Sequence, residues 1–386
     1  MSRHYLEIMK RLKVIKGAAL TFVGAVLGFS SCANPASIEG VLTGVESDTL
    51  LVFAFHMNER ESFRKDTIAL INGRFEMQYP DSALLVSLVA KPATPNGAIP
   101  MPMSGPIYFF PGDKLQIEGD INDFKVSGSE LYDGLQSYAE IQRMQLEFTK
   151  LSTELMNFYK SNDKNEIASI RKQLKAVRDS LQHAKFEAVK ANPQSLAAAY
   201  FACQLQPEQG LAAIDLLSDD LKKGPMGKVI KKTQQSYTNA MIREKAKKQM
   251  KSGNKAPEFH GVTIDGKEVS LDTFQGKYLL VDFWGTWCGW CIKGIPTMKK
   301  YYNKYKSHIE FLGVCCGDTD AKWRACVAQY HLPWVNINEG ESGMSSHFAV
   351  AGYPTKILLD SKGEIVDIFV GETPKLYEKL DALFAK

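Results

Sequence analysis

The sequence predicts a chain of three parts: a small all-β region at residues 36–129, an α-helical segment at 130–251, and an α/β domain at 252–386. Three observations carry that division. Apolar clusters of strand length, punctuated by turn residues, fill the first part. In the second, apolar residues recur every third or fourth position, and in the third, apolar strands alternate with helical runs. The third part also holds all five tryptophans and five of the seven cysteines.

In the first part the strand candidates are 49–55, 67–71, 75–79, 84–90 and 114–118. Asn72-Gly73, Pro80-Asp81, Pro111-Gly112-Asp113 and Gly119-Asp120 separate them, residues that suit tight turns and resist regular structure. Short strands at this spacing predict a small sandwich or an open barrel. Residues 91–106 carry five prolines and read as a loop. Met101 and Met103 within it lack a neighbouring His or Cys, so they read as packing groups rather than a copper site.

The second part opens with Leu135, Tyr138, Ile141, Met144, Phe148, Leu151, Leu155 and Phe158, and Ser161-Asn162-Asp163 then breaks the run. Ile167, Ile170, Leu174, Val177, Leu181 and Phe186 resume it up to Asn192-Pro193. Two long amphipathic helices joined by a short polar loop form an antiparallel αα-hairpin. Helical runs at 195–205 and 208–221 and a Lys-rich one at 226–250 follow, and 251–255 reads as a linker. The basic stretch 243–251 reads as a solvated helix face rather than a membrane-surface helix. Cys203, among alanines, reads as a small buried hydrophobe.

The formal net charge of the 386-residue chain is +4. Arg3, Lys10, Arg11, Lys13 and Lys16 against Glu7 supply the whole excess, so the remainder is neutral and gives no electrostatic reason to expect nucleic acid. Residues 17–29 are uncharged and largely apolar, shorter than the ~20 residues of a membrane span, and small residues follow them. Residues 1–32 therefore read as a signal peptide. Its exit, Phe29-Ser30-Ser31-Cys32, resembles a bacterial lipobox, in which the cysteine becomes the lipidated first residue, with Phe29 where leucine is usual. Cleavage after Ala33, or an uncleaved anchor over 17–38, are the alternatives. Each exports the chain and places the other thiols outside the cytosol. A hydrophobic content of 45% excludes wholesale disorder, and cysteine is too sparse for a disulfide scaffold.

The third part begins with a hairpin, 262–264 and 269–271, turning at Asp265-Gly266. Residues 278–284 form a nearly continuous apolar strand of the kind buried on both faces. It runs into Gly285-Thr-Trp-Cys-Gly-Trp-Cys291 and a helix through Tyr305. A strand at 308–314, a helix at 322–330, a strand at 334–337 and a hairpin of 356–360 with 364–370 come next. Thr373 caps the last helix, with Pro374 in its first turn and Leu376, Leu380 and Leu383 inward.

Two cysteines spaced C-x-x-C at a helix N-terminus put the first thiol, Cys288, against unsatisfied N–H groups and the positive end of the helix dipole. Thiolate is favoured there, with a pKa of about 3.5 to 7.5 rather than about 8.5. Cys291, one turn on, is near enough to close a disulfide and is expected to be the more buried. Cys288 is thus the candidate nucleophile and Cys291 the candidate resolving thiol. Cys315 and Cys316 end a strand and point to opposite faces; a vicinal disulfide would be strained, and Cys326 is the other conceivable partner.

Trp284 to Cys291 at a strand-to-helix junction, with Gly352-Tyr353-Pro354-Thr355 further on, resembles a thioredoxin-fold domain. The flanks Ala256-Pro-Glu-Phe259, Phe274-Gln-Gly-Lys277 and Leu359-Asp-Ser-Lys-Gly363 narrow the resemblance to the exported, membrane-tethered TlpA-like branch. The first two parts more loosely resemble the region ahead of such domains in envelope lipoproteins. The resemblance implies an α/β thioredoxin-like fold for 252–386 and a thiol–disulfide oxidoreductase, working as a reductase on protein disulfides of the periplasm-facing envelope. It also implies a transmembrane electron donor, membrane attachment through a lipid anchor, a link to cytochrome c biogenesis, and no cofactor.

By matching position, Asp282 corresponds to the family's buried carboxylate, which takes the Cys291 proton. A charge in an apolar strand is costly without such a role. Pro354 matches the cis-proline beside the disulfide, and Tyr353 precedes it where the backbone pairs with a substrate strand. Trp287 and Trp290 flank Cys288-Gly289 as an apolar contact surface or as packing. Two departures stand out. Gly294 replaces the acid often found three residues after the second cysteine, leaving Asp282 to act alone, and Trp290 replaces a common proline; Pro296 does match the family's helix kink.

Three rival classes are weaker. A peroxiredoxin signature would place proline and a hydroxyl residue where Val281 and Gly285 stand. A copper or other metal carrier would need His331 or His347 beside the cysteine pair, and one C-x-x-C is slight evidence for it. A non-enzymatic ligand-binding envelope lipoprotein would leave intact Cys288, Cys291 and Pro354 without purpose.

Overall fold

The computed structural model describes residues 36–45, 47–57, 63–79, 83–90, 106–161 and 164–385. The leader with Cys32, most of the proline-rich segment, and Asn162-Asp163 lie outside them.

The first part is a sandwich rather than a barrel, because its strands form two separate sheets that close over one core. Its strands are β1 (Ser37–Thr43), β2 (Thr49–His56), β3 (Phe63–Ala69), β4 (Arg74–Gln78), β5 (Leu84–Ala90), β6 (Ile107–Phe109), β7 (Lys114–Asp120) and β8 (Asp123–Ser127). They form two four-stranded sheets, ordered β4-β1-β7-β8 and β3-β2-β5-β6. Ile38, Leu115 and Ile117 of one sheet and Leu50, Val52 and Val86 of the other share a single core. Three strands, β1, β6 and β8, were not legible: β6 is only three residues long, β8 is half-exposed, and β1 is apolar on one side alone.

The helical part comprises α1 (Glu130–Gln136), α2 (Ala139–Ser161), α3 (Lys164–Ala191), α4 (Leu196–Ala202), α5 (Pro207–Leu216), α6 (Asp219–Lys223) and α7 (Gly227–Ala246). The expected pair of long helices, α2 and α3, pack on each other. Two expected runs are interrupted. The first breaks at Ser137, whose N–H closes α1 onto Gly134 and Leu135 carbonyls. The second breaks at Leu217, which is extended so that the Ser218 side chain can accept from Leu221 N and cap α6. Tyr132 of α1 joins this part to the sandwich: its ring packs against both cores, and its hydroxyl accepts from Tyr108 N at 2.8 Å.

The last part contains β9 (His260–Val262), β10 (Glu268–Ser270), a 3-10 turn (Leu271–Phe274), β11 (Tyr278–Trp284), α8 (Gly289–Tyr305), β12 (Ile309–Cys315) and α9 (Asp320–Gln329). It ends with β13 (Val335–Asn338), α10 (Met344–His347), β14 (Thr355–Leu359), β15 (Ile365–Val370) and α11 (Pro374–Phe384). The sheet order is β13-β12-β11-β14-β15, with β12 parallel and β14 antiparallel to the central β11. Leu279, Val281 and Phe283 face a core with Phe274 and Phe348, whereas Leu280 faces Met298 of α8 and Leu376 and Leu380 of α11. Alternation places Asp282 on that second face, under α8 and α11.

The stretch 251–255, expected as a linker, is instead tied to the open edge of β15. Gly253 N donates to Ile365 O and Ile365 N to Asn254 O, each at 2.8 Å, and Ala256 N donates to Gly363 O at 3.0 Å. An unpaired edge offers those groups, and the chain entering the domain takes them up. On the other side of this junction α7 lies against α10, where a side chain on Gly343 would meet Asn239 of α7 at 3.3 Å.

Tyr132→Phe removes the acceptor for Tyr108 N at the join of the first two parts. It is expected to cost about 1–3 kcal/mol in urea unfolding, with the Cys288/Cys291 redox couple unchanged.

Candidate active site

Strand β11 delivers the chain to a short loop, Gly285 to Trp287, that is fastened at each residue. A side chain on Gly285 would fall 2.5 Å from Trp287 Nε1, so only glycine lets the indole fold back, where Nε1 donates to Cys316 O at 3.0 Å. Thr286 N and Oγ1 donate to Asp318 Oδ2 and Oδ1 at 2.7 and 2.8 Å. Asp318 is buried just beyond β12 and also accepts from Cys315 Sγ at 3.2 Å. Cys288 then takes the N-cap position of α8, and its Sγ accepts from Cys291 N at 3.2 Å. The first-turn N–H groups and the helix dipole converge on that sulfur.

Cys288 and Cys291 are joined as a disulfide. The expected difference in burial is not found: both residues are 6% exposed. They sit in one apolar cluster with Trp284, Cys315 and Trp323, and Tyr353 packs against it. The Tyr353–Pro354 peptide bond is cis, and the Tyr353 ring meets Trp287 edge-on with centroids 5.1 Å apart. Trp287 and Trp290 are 56% and 66% exposed, which speaks against packing for Trp290, whose ring instead carries Lys293 Nζ at 4.9 Å. Val370, not singled out in the sequence, pairs with Thr355 beside Pro354 and extends this exposed apolar rim.

On the face of β11 under α8 lies a buried charge cluster, of which the sequence marks out only Asp282. In the β11–β14 register Asp282 stands opposite Lys356, with Nζ 3.4 Å from Oδ1. Lys356 Nζ also donates to Glu372 Oε2 at 2.9 Å, and Tyr377 OH donates to Glu372 Oε1 at 2.6 Å. Asp282 Oδ1 is buried and has no hydrogen-bond partner. Burial pushes the Asp282 pKa up, Lys356 opposes that and Glu372 adds to it. Burial disfavours the Lys356 ammonium, but the two carboxylates outweigh it and its pKa is raised. The expectation that Asp282 acts alone is therefore corrected: a carboxylate on Gly294 is missing, yet a Cβ there would lie 2.5 Å from Glu372 Oε2. A lysine in an otherwise apolar β14, and an acid beside the Thr373-Pro374 helix start, were the signals for the pair.

The remaining described thiols, Cys203, Cys315, Cys316 and Cys326, are free, and the last three are buried. Burial, reinforced by Asp318, pushes the Cys315 thiol up, and burial does the same for Cys316 and Cys326, so these are unreactive next to an N-cap sulfur. Among the described residues no group of three or more His, Cys, Asp or Glu converges as a metal-binding set, so His331 and His347 do not complete one with the cysteine pair.

A five-stranded sheet with a C-x-x-C disulfide capping a helix and a cis X-Pro bond define a thioredoxin-fold redox domain. The family model described as Redoxin matches residues 251–383. Thiol-disulfide oxidoreductase ResA of Bacillus thuringiensis (strain Al Hakam) is 34% identical over 142 residues, 36% of this chain and 80% of that protein. Thioredoxin-like protein YneN of Bacillus subtilis (strain 168) is 32% identical over 137 residues, 34% of this chain and 80% of that protein. The thioredoxin domain of a Bacteroides vulgatus thiol-disulfide oxidoreductase aligns with a TM-score of 0.33 and 29% identity, covering 34% of this chain and 97% of that one. The chain belongs to the thiol–disulfide oxidoreductase family that includes ResA.

A raised Asp282 pKa makes the fold's stability fall as pH rises. The contribution is fully present below the unfolded value of about 3.9 and is lost through the raised folded pKa. Asp282→Asn removes this loss, so its urea midpoint is expected to exceed that of the native protein by more at pH 8 than at pH 4.

Proposed function

We propose that the protein reduces disulfides of bacterial envelope proteins, with Cys288 as nucleophile and Cys291 as resolving thiol. The observation that carries this reading is the Cys288 sulfur at the N-cap of α8, receiving the Cys291 N–H. A sulfur so placed is stabilised as thiolate and remains nucleophilic near neutral pH.

In the reduced protein the Cys288 thiolate attacks one sulfur of a substrate disulfide. The substrate S–S bond breaks, its electron pair leaves on the second sulfur, which takes a proton from water, and a mixed disulfide remains. Cys291 then gives its proton to the Asp282 carboxylate and attacks Cys288 Sγ. The Cys288–substrate bond breaks, and the departing sulfur collects a proton. Two electrons pass from the protein dithiol to the substrate, which becomes two thiols, and the Cys288–Cys291 disulfide is restored.

Trp287, Trp290 and Val370, which are exposed, together with half-buried Tyr353 and buried Pro354, are the surface offered to a substrate chain beside the buried sulfur. To act again the disulfide needs two electrons, and outside the cytosol these come from a dithiol carried by a membrane protein. Attachment through lipidated Cys32 keeps the domain near that donor, in line with the leader's charge and apolar pattern.

Redox titration of the chain lacking its leader against glutathione is expected to give a reversible two-electron couple near the thioredoxin value of about −270 mV. A potential as oxidising as about −120 mV overturns the reductase direction, and no couple at all overturns the enzyme reading. Cys291→Ser in cells is expected to accumulate mixed disulfides through Cys288 that Cys288→Ser abolishes. Mass spectrometry of the mature N-terminus is expected to find a lipid on Cys32.

A further inference from the structure

Gly294 and Glu372 share one small volume. A Cβ on Gly294 would lie 2.5 Å from Glu372 Oε2, 2.6 Å from its carboxyl carbon and 3.0 Å from Oε1, so a carboxylate stands where any side chain at 294 would begin. Gly294 lies three residues beyond Cys291 on α8, on the helix face that carries the resolving cysteine. Glu372 itself comes from the turn between β15 and α11.

The groups around that carboxylate come from every element packed there. Lys356 of β14 donates to Oε2 at 2.9 Å, and Tyr377 of α11 donates to Oε1 at 2.6 Å. Asp282 of β11 lies beyond the lysine, 3.4 Å from its Nζ, and α8 contributes the uncharged Gly294. One cation thus serves two buried carboxylates. With all three charged, the cluster carries a net negative charge in a low-dielectric site, which readies one carboxylate to accept a proton. Both Glu372 oxygens accept a hydrogen bond, whereas Asp282 Oδ1 has only the longer ion-pair contact with Lys356 at 3.4 Å, so Asp282 is the carboxylate better able to take it.

We propose that Glu372 is a positioning residue for thiol–disulfide exchange: by drawing Lys356 away from Asp282, it keeps that carboxylate basic enough to accept the Cys291 proton. This rests on the proton transfer assigned to Asp282 above. When Cys291 attacks Cys288 Sγ, its S–H bond breaks, the proton goes to Asp282, and the substrate sulfur leaves with the bonding pair. The proton afterwards passes to water. Loss of the Glu372 charge lets Lys356 pair with Asp282 alone, which stabilises the ionised carboxylate and weakens it as a base. Burial and the neighbouring Glu372 both push the Asp282 pKa upward, in the direction the geometry requires.

The test is single-turnover oxidation of the reduced chain by saturating oxidised glutathione, followed by tryptophan fluorescence from pH 4 to 9. The native protein and Asp282→Asn are run in parallel, and the acid limb of the native profile is expected to vanish in Asp282→Asn. In Glu372→Gln, which keeps the side chain's shape, the limb is expected to move about one pH unit lower, with a plateau rate down about three- to tenfold. Gly294→Ala is expected to shift it the same way by displacing the carboxylate. The swap Gly294→Glu with Glu372→Ala, which returns an acid to that volume from the other element, is expected to restore the native limb.

A limb lost in Asp282→Asn but unmoved in Glu372→Gln overturns this proposal and leaves the Asp282 assignment standing. A limb retained in Asp282→Asn overturns both. A shift in Glu372→Gln that the swap does not reverse marks Glu372 as merely structural and also overturns the proposal.

Discussion

The contact on which the site depends is the backbone amide of Cys291 directed at the Cys288 sulfur. It exists because a helix begins at that residue and nowhere else, which makes the approach of the chain the decisive constraint. Strand β11 is central and buried, so its end is a fixed point. The loop beyond it is held to the end of β12 by the Thr286–Asp318 pair and by the Trp287 indole. Moving the helix start by one residue would aim its amides away from the sulfur and leave the cysteine an ordinary buried thiol.

The same arrangement sets a cost. An N-cap sulfur packed among Trp284 and Trp323, in a domain that also buries a carboxylate oxygen without a hydrogen bond, is a poor way to build a stable core. The fold offsets this with apolar clusters on both faces of the sheet and with a buried lysine that would itself be unfavourable without its two carboxylates. Local expense carried by a rigid surround is the usual arrangement of a reactive site.

What could be read from the sequence divides along physical lines. The motif at 284–291, β11 and the capped last helix declared themselves, because local spacing and one-residue capping rules determine them. Asp282 was legible for a similar reason: a charge inside an apolar run. Lys356 sits in an equally apolar strand, but its meaning depends on the antiparallel register that sets it opposite Asp282, a long-range fact. Glu372 stands out only as an acid beside a helix start, and nothing near position 372 reveals that it reaches α8. Gly294 looked like a lost acid because a column of residues does not report the volume around it. In the first part β1 escaped because it is apolar on one side alone, and its parallel pairing with β7, distant in sequence, leaves no local signal.

The tie between 253–256 and β15 changes what the thioredoxin-fold domain can do in space. A free five-residue spacer would let the domain swing, sampling many orientations and raising its encounter rate with partners of unknown position. Hydrogen bonds to the sheet edge, together with α7 against α10, exchange that reach for aim. Reorienting the disulfide against the helical segment therefore requires breaking backbone pairs along β15.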